Sequence, residues 1–275
     1  MENQSFIAIL YALPLLGIVG YISSRNDLSI SPFITWCMFA ITYFLSEMAG
    51  IVNGVIDAYG TPEPFSTIFA AFNEEVFKFV MLLMFLKYFK DRVTLKQALF
   101  LGGTCCLAFA VSENWYYITR DDLQVLPGLQ ALVRVVMPTP MHFITGSIIA
   151  IYSYQVFNLD RDVSNIFIGV GIGTAIHTIY NFGAGIVDGY FIMAMAVAIG
   201  TIITVMTYKK FNAEFEVRDE YIYGAKRVRA KTSFKDPEKL FSPKIVSKKR
   251  SKKINIVTKK KNEAKHNIII YFINF

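Results

Sequence analysis

The chain has 275 residues, of which 54% are hydrophobic and 18% charged, with a mean hydropathy of +0.41. A soluble domain carries about 25% charged residues, so this composition excludes an ordinary soluble enzyme and leaves a protein that turns apolar surface toward lipid. The net charge of +7 is unevenly placed: from Lys209 onward 19 Lys and Arg face seven Asp and Glu, near +12, which leaves about −5 for the rest.

A bilayer-crossing helix needs roughly 20 mostly apolar residues. Seven stretches qualify, at about residues 5–22, 32–55, 64–88, 95–118, 127–157, 165–187 and 190–208. The expected fold class is therefore all-α: a polytopic transmembrane bundle of about seven helices in residues 1–208, followed by a basic tail in residues 209–275. The first stretch has neither a basic leader nor a small-residue cleavage motif, so it reads as a retained span. Cys37, Cys105 and Cys106 all fall in apolar stretches without metal-ligand spacing and are expected to be small core residues.

The third span carries Asn73-Glu74-Glu75-Val76-Phe77-Lys78. Glu74 and Lys78 are four apart, on one helix face, and can form an ion pair. That leaves Glu75 in need of another partner and gives the site a negative surplus suited to a cation or a shared proton. The fourth span ends in Ser112-Glu113-Asn114-Trp115-Tyr116-Tyr117. Its aromatics are an interfacial belt, but Glu113 lies deeper than a belt explains.

The fifth span is too long for one straight crossing, and Pro138 and Pro140 should kink or break it. It carries Arg134 and His142 two turns apart, with Gly146 making room for a neighbouring helix. In the sixth, Gly169 and Gly173 form a close-packing surface, while His177 and Asn181 share a face. The Gly169-Val170-Gly171-Ile172-Gly173 run is not a dinucleotide loop, because no strand precedes it. Ionisable groups inside a membrane are costly and mark functional sites by default. Glu47, Glu74, Glu75, Lys78, Glu113, Arg134, His142 and His177 are the candidates.

Alternate loops differ in charge. Arg25, the group Lys87, Lys90, Arg92 and Lys96, then Arg161 and the tail fall on one side; residues 61–63, Arg120 with Asp121 and Asp122, and Asp188 fall on the other. The positive side is cytoplasmic. The expectation is a multi-pass protein of the cell membrane, with its N-terminus outside and C-terminus cytoplasmic. The tail has no periodic apolar face, so it is expected to be disordered. Lying next to a span, it suits anionic lipid better than nucleic acid.

Four elements, Glu74-Glu75-Val76-Phe77-Lys78, Phe109 to Tyr117, His142-Phe143-Ile144-Thr145-Gly146 and His177-Thr178-Ile179-Tyr180-Asn181, together resemble the PrsW family of intramembrane proteases, relatives of the CAAX prenyl endopeptidases. The resemblance covers about residues 64–187 and implies metal-assisted peptide hydrolysis, or a glutamate-driven one without metal. It implies Glu74 as base with Glu75 as support or ligand. His142, His177 and a carboxylate such as Glu113 would then hold Zn2+, and Asn181 would donate to an oxyanion. At about 1.5 Å per residue the site lies roughly 15–25 Å from the outer span ends. It would act on a single-pass membrane protein near the extracytoplasmic side, as on anti-sigma factors. The competing readings are a non-catalytic scaffold of the same superfamily and a cation-coupled transporter; the latter would show internal repeats.

The charge asymmetry makes a topology prediction. A reporter fused after Tyr208 should read as cytoplasmic and one at Asp121 as external; the same side for both would overturn the span count.

Overall fold

The computed structural model describes the backbone of residues 2–25, 31–89, 93–119, 136–159, 161–186 and 189–233, with side chains of these within residues 13–116 and 136–212. Among the described residues there are seven helices: α1 (Glu2–Ser24), α2 (Pro32–Ala58), α3 (Phe65–Phe89), α4 (Leu95–Thr119), α5 (Pro138–Leu159), α6 (Ser164–Ala184) and α7 (Tyr190–Ser233). The bundle lies in the compact unit of residues 1–219. The protein is an all-helical membrane protein, and among the described residues four stretches are long and apolar enough to cross a bilayer: Pro32–Ala58, Leu95–Tyr116, Ser164–Ala184 and Tyr190–Asn212. Helix α3 is not among them, since Glu74, Glu75, Lys78 and Lys87 lie along it.

Two boundaries have backbone reasons. Helix α5 opens at Pro138, so Pro138 and Pro140 occupy its first turn, where a missing N–H costs nothing. The helix thus starts at the prolines where a kink or break is expected; residues 127–135, with Arg134, lie outside the described residues. Helix α7 runs on to Ser233, past the span end expected at Tyr208, and the remaining tail lies outside the described residues. Polar side chains fix other ends. Asp162 Oδ1 accepts the Ser164 N–H at the start of α6 (2.7 Å), and Glu63 Oε2 accepts the Thr67 hydroxyl in the first turn of α3 (2.8 Å). Hydrogen bonds from Ser66 and then Thr67 hold the Glu63 carboxyl below the usual glutamate range.

Helix α4 is the hub. Its spanning stretch is 78% buried, against 22% for those of α2 and α7, and it packs on α1, α2, α3 and α5. Helix α3 packs on α2, α5 and α6. The main core joins Met81, Leu82 and Phe85 of α3 to Cys105 and Cys106 of α4 and to Ile149, Ala150 and Tyr154 of α5. The Tyr154 hydroxyl donates to the Val93 carbonyl at 2.8 Å, tying α5 to the segment between α3 and α4. Met193 and Ala196 of α7 cluster with Met141 and Tyr180. Exposed Phe33, Phe44, Phe167, Phe191 and Met206 supply the lipid-facing surface that the composition requires. Cys37 belongs to that surface and not to the core, because it sits on the outer side of α2; Cys105 and Cys106 are buried as expected.

Membrane helices approach closely where side chains are small. A Cβ on Gly146 would overlap the Cys106 side chain and lie 2.8 Å from the Gly102 carbonyl oxygen. The α5 backbone therefore touches α4 four residues after His142. Gly169 and Gly173 do serve close packing, against Tyr152 Cβ (2.7 Å) and Glu75 Oε2 (3.2 Å), whereas Gly171 between them meets nothing within 4 Å. Overpacking a tight core costs about 1–3 kcal/mol. Gly146→Leu should therefore lower the unfolding temperature in detergent by several degrees at least, and Gly171→Leu should leave it near wild type. Equal shifts would contradict the packing.

Candidate metal centre

Four helices each bring one ionisable side chain to a common point. Glu74 of α3, Glu113 of α4, His142 of α5 and His177 of α6 each place one ligand-type atom so that all four lie within 4.8 Å of one another. The imidazoles are closed off from the surroundings, while the side chains of Glu74 and Glu113 are 11% and 24% exposed. The rings of His142 and His177 meet edge to face at 5.3 Å, and Phe109 stacks on His142 at 6.0 Å.

Lys78 pairs with Glu75 and not with Glu74. Its Nζ contacts Glu75 Oε1 at 2.5 Å, and both side chains are fully buried. Positions three and four apart are both neighbours on a helix, so spacing alone permits either partner; burial selects the carboxylate that faces the protein interior with the ammonium. Lys78 Nζ also donates to Thr145 Oγ1 (3.2 Å) and lies 5.1 Å from the Phe109 ring centroid. A buried ammonium needs such a set, since an uncompensated charge in low dielectric costs several kcal/mol.

The same Glu75 oxygen is 2.7 Å from His177 Nδ1. An ionised carboxylate only accepts, so Nδ1 carries the proton and the Nε2 lone pair is left free. Nε2 is the nitrogen 3.7 Å from Glu74 Oε2. Glu75 therefore sits behind His177, not beside the common point. A carboxylate behind an imidazole is the arrangement that fixes ring orientation at metal centres.

The cluster fits a divalent cation on two observations. Buried Glu74 Oε2 and both ring nitrogens of His142 have no hydrogen-bond partner; His142 Nε2 is 3.3 Å from Glu113 Oε2 but not in hydrogen-bonding geometry. An ion explains the Glu74 oxygen and one His142 nitrogen, since only one nitrogen of a ring can face the common point. Charge gives the second: among the described residues the carboxylates of Glu74, Glu75 and Glu113 face one ammonium, Lys78, a formal balance of −2 with neutral imidazoles.

Not every sequence candidate joins the site. Asn181 lies a turn beyond His177 on α6, half-buried, and is not one of the four converging groups. Glu47 is engaged elsewhere, accepting the Ser112 hydroxyl at 2.7 Å. Two residues escaped the sequence reading: Asn53 of α2 donates from Nδ2 to Glu74 Oε1 (3.0 Å), and Thr145 supports Lys78. For Asn53 the available signal was an amide in the middle of an apolar stretch.

The Lys78–Glu75 pair is open to a double-mutant cycle. Breaking a buried pair by removing one partner costs about 3–5 kcal/mol. Lys78→Met and Glu75→Gln should each destabilise the protein strongly, and the double variant should lose less than the sum. Additive losses, read by thermal unfolding in detergent, would show that the two groups do not interact.

No curated protein and no solved structure matches the chain. The family model for the PrsW family intramembrane metalloprotease matches residues 31–207, a span that holds α2 to α6 and every member of the cluster. The chain belongs to the PrsW family of intramembrane metalloproteases.

Proposed function

We propose that the chain hydrolyses a peptide bond of a single-pass membrane protein, in or near the extracytoplasmic side of the bilayer, with Zn2+ as its metal and an anti-sigma-factor-like protein as its kind of substrate. The observation that carries this reading is the convergence of Glu74, Glu113, His142 and His177 from four helices on one point.

His142, His177 and Glu113 would hold the ion, a nitrogen-rich set with one carboxylate that suits Zn2+. Bound there, the ion supplies Lewis-acid activation of water and of the scissile carbonyl. Glu74 is the general base. Its Oε1 is held by Asn53 while Oε2 is unpaired, so one oxygen is fixed and the other is free to take a proton. The attacking water gives its proton to Glu74 as its oxygen bonds to the carbonyl carbon. Glu74 then returns the proton to the departing nitrogen, the C–N bond breaks, and a carboxylic acid and an amine result. Glu75 keeps His177 oriented and Lys78 keeps Glu75 charged. Asn181, on the His177 side of α6, donates to the oxyanion of the tetrahedral intermediate.

The orientation follows the charge asymmetry, with the N-terminus outside and the basic end cytoplasmic in the cell membrane. From Lys209 the basic segment contacts anionic lipid at that face, and nucleic acid is not its partner.

Purified wild type should carry stoichiometric Zn2+, and the His142→Ala, His177→Ala double variant should lose it. Glu74→Gln should keep the ion yet slow cleavage of a co-expressed single-span substrate by about 10²–10⁴. Full turnover after chelation, or wild-type cleavage by Glu74→Gln, would remove the metal or the base from the mechanism. A wild type that neither binds the metal nor cleaves would leave a scaffold in place of an enzyme.

A further inference from the structure

Glu74 is reached from α2 as well as by the groups of the cluster. Asn53 Nδ2 donates to Glu74 Oε1 at 3.0 Å across the α2–α3 contact. Asn53 is itself held: Asn73 Nδ2 donates to Asn53 Oδ1 at 2.8 Å and to the Ala49 carbonyl at 3.0 Å. Ala49 and Asn53 are one turn apart on α2, and Asn73 directly precedes Glu74 on α3. The two amides form a chain of donors that links an α2 backbone carbonyl to the carboxylate.

The direction of that chain is determined. A side-chain amide has one accepting and one donating end, and it turns to suit its neighbours. The Ala49 carbonyl can only accept, so it takes an N–H from Asn73. The second Asn73 N–H reaches Asn53 and claims its oxygen. The Asn53 N–H2 end then has to face Glu74, and no other orientation satisfies both neighbours. Hydrogen bonds to ionised carboxylates are among the stronger ones in proteins, and low dielectric strengthens them further. Glu74 Oε1 is thereby occupied, and the oxygen left without a partner is Oε2, the one 3.7 Å from His177 Nε2.

The geometry points to Asn53 as a positioning residue for the hydrolysis: locked by Asn73, it fixes the Glu74 carboxylate with Oε2 turned into the cluster. This rests on the protease reading, with Glu74 as base. Asn53 is not one of the four converging groups; it acts through Glu74. A carboxylate without that donor is free to rotate and to present either oxygen, and a base out of place by a fraction of an ångström loses rate more than affinity.

The test uses full-length protein in detergent with a set of quenched fluorogenic single-span peptides. Asn53→Ala removes the donor, and Asn53→Asp keeps the shape while replacing the donor with an acceptor. Both should lower kcat roughly 10- to 100-fold, the range expected for a lost hydrogen bond to a charged group. KM, bound metal and unfolding temperature should stay near wild type. Wild-type kcat in both variants overturns the role. So does wild-type kcat in Asn53→Asp alone, which would make shape the requirement, and so does a fall in bound metal that parallels the fall in activity. A wild-type protein that cleaves none of the peptides overturns the protease reading itself, and the positioning role with it; an active wild type with undiminished Asn53 variants overturns the positioning role alone.

Discussion

Lys78 has no exposed surface, and the site is arranged around that fact. An ammonium in a dry helix bundle has to be matched by a carboxylate and its remaining protons accepted. Glu75 and Thr145 meet those needs, and the Phe109 ring face adds a further favourable contact. Once Glu75 is committed to Lys78 it is an ionised acceptor at a fixed place, which in turn sets the tautomer of His177. A single buried cation thus determines which of two adjacent glutamates is available at the converging point: Glu75 is bound to Lys78 and His177, and Glu74 joins the cluster.

The helix order serves the same end. One group comes from each of α3, α4, α5 and α6, so none can be placed without packing all four helices. Small residues make that packing close enough. Gly146 lets α5 lie against α4 just past His142, and Gly173 lets α6 lie against Glu75 four residues before His177. These glycines hold the imidazoles at the correct separation from the carboxylates, because a side chain at either position would push the helices apart. Helix α2 contributes none of the four converging groups, yet it carries Asn53, so the matched family segment beginning at residue 31 is structurally apt.

Much of this was readable from the sequence, for a physical reason: lipid penalises charge so heavily that each ionisable residue in an apolar stretch stands out. Glu74, Glu75, Glu113, His142 and His177 were visible on those grounds, and the seven helices followed from apolar length. Three features were not. The choice of Glu75 over Glu74 as partner of Lys78 depends on which way the helix faces the interior, and spacing cannot supply that. Asn53 was hidden because a neutral amide carries far less penalty than a charge and does not interrupt an apolar stretch. The continuation of α7 beyond Tyr208 was missed because a bilayer criterion ends a helix where lipid ends, whereas the backbone can continue helical into water.

The exposures of the four converging groups give the site a direction. Both histidines are sealed, at 0% and 1% of their side-chain surface, whereas Glu74 retains 11% and Glu113 24%. The cluster is therefore more open on its carboxylate side, with the imidazoles buried behind. Glu113 lies near the C-terminal end of α4, two residues before Trp115, and Trp115 and Tyr116 are exposed as an interfacial belt would be. The most exposed of the four groups is thus the one nearest the belt end of α4. That order suits the hydrolysis proposed above, in which a carboxylate takes the proton of water while the imidazoles stay shielded from competing protons.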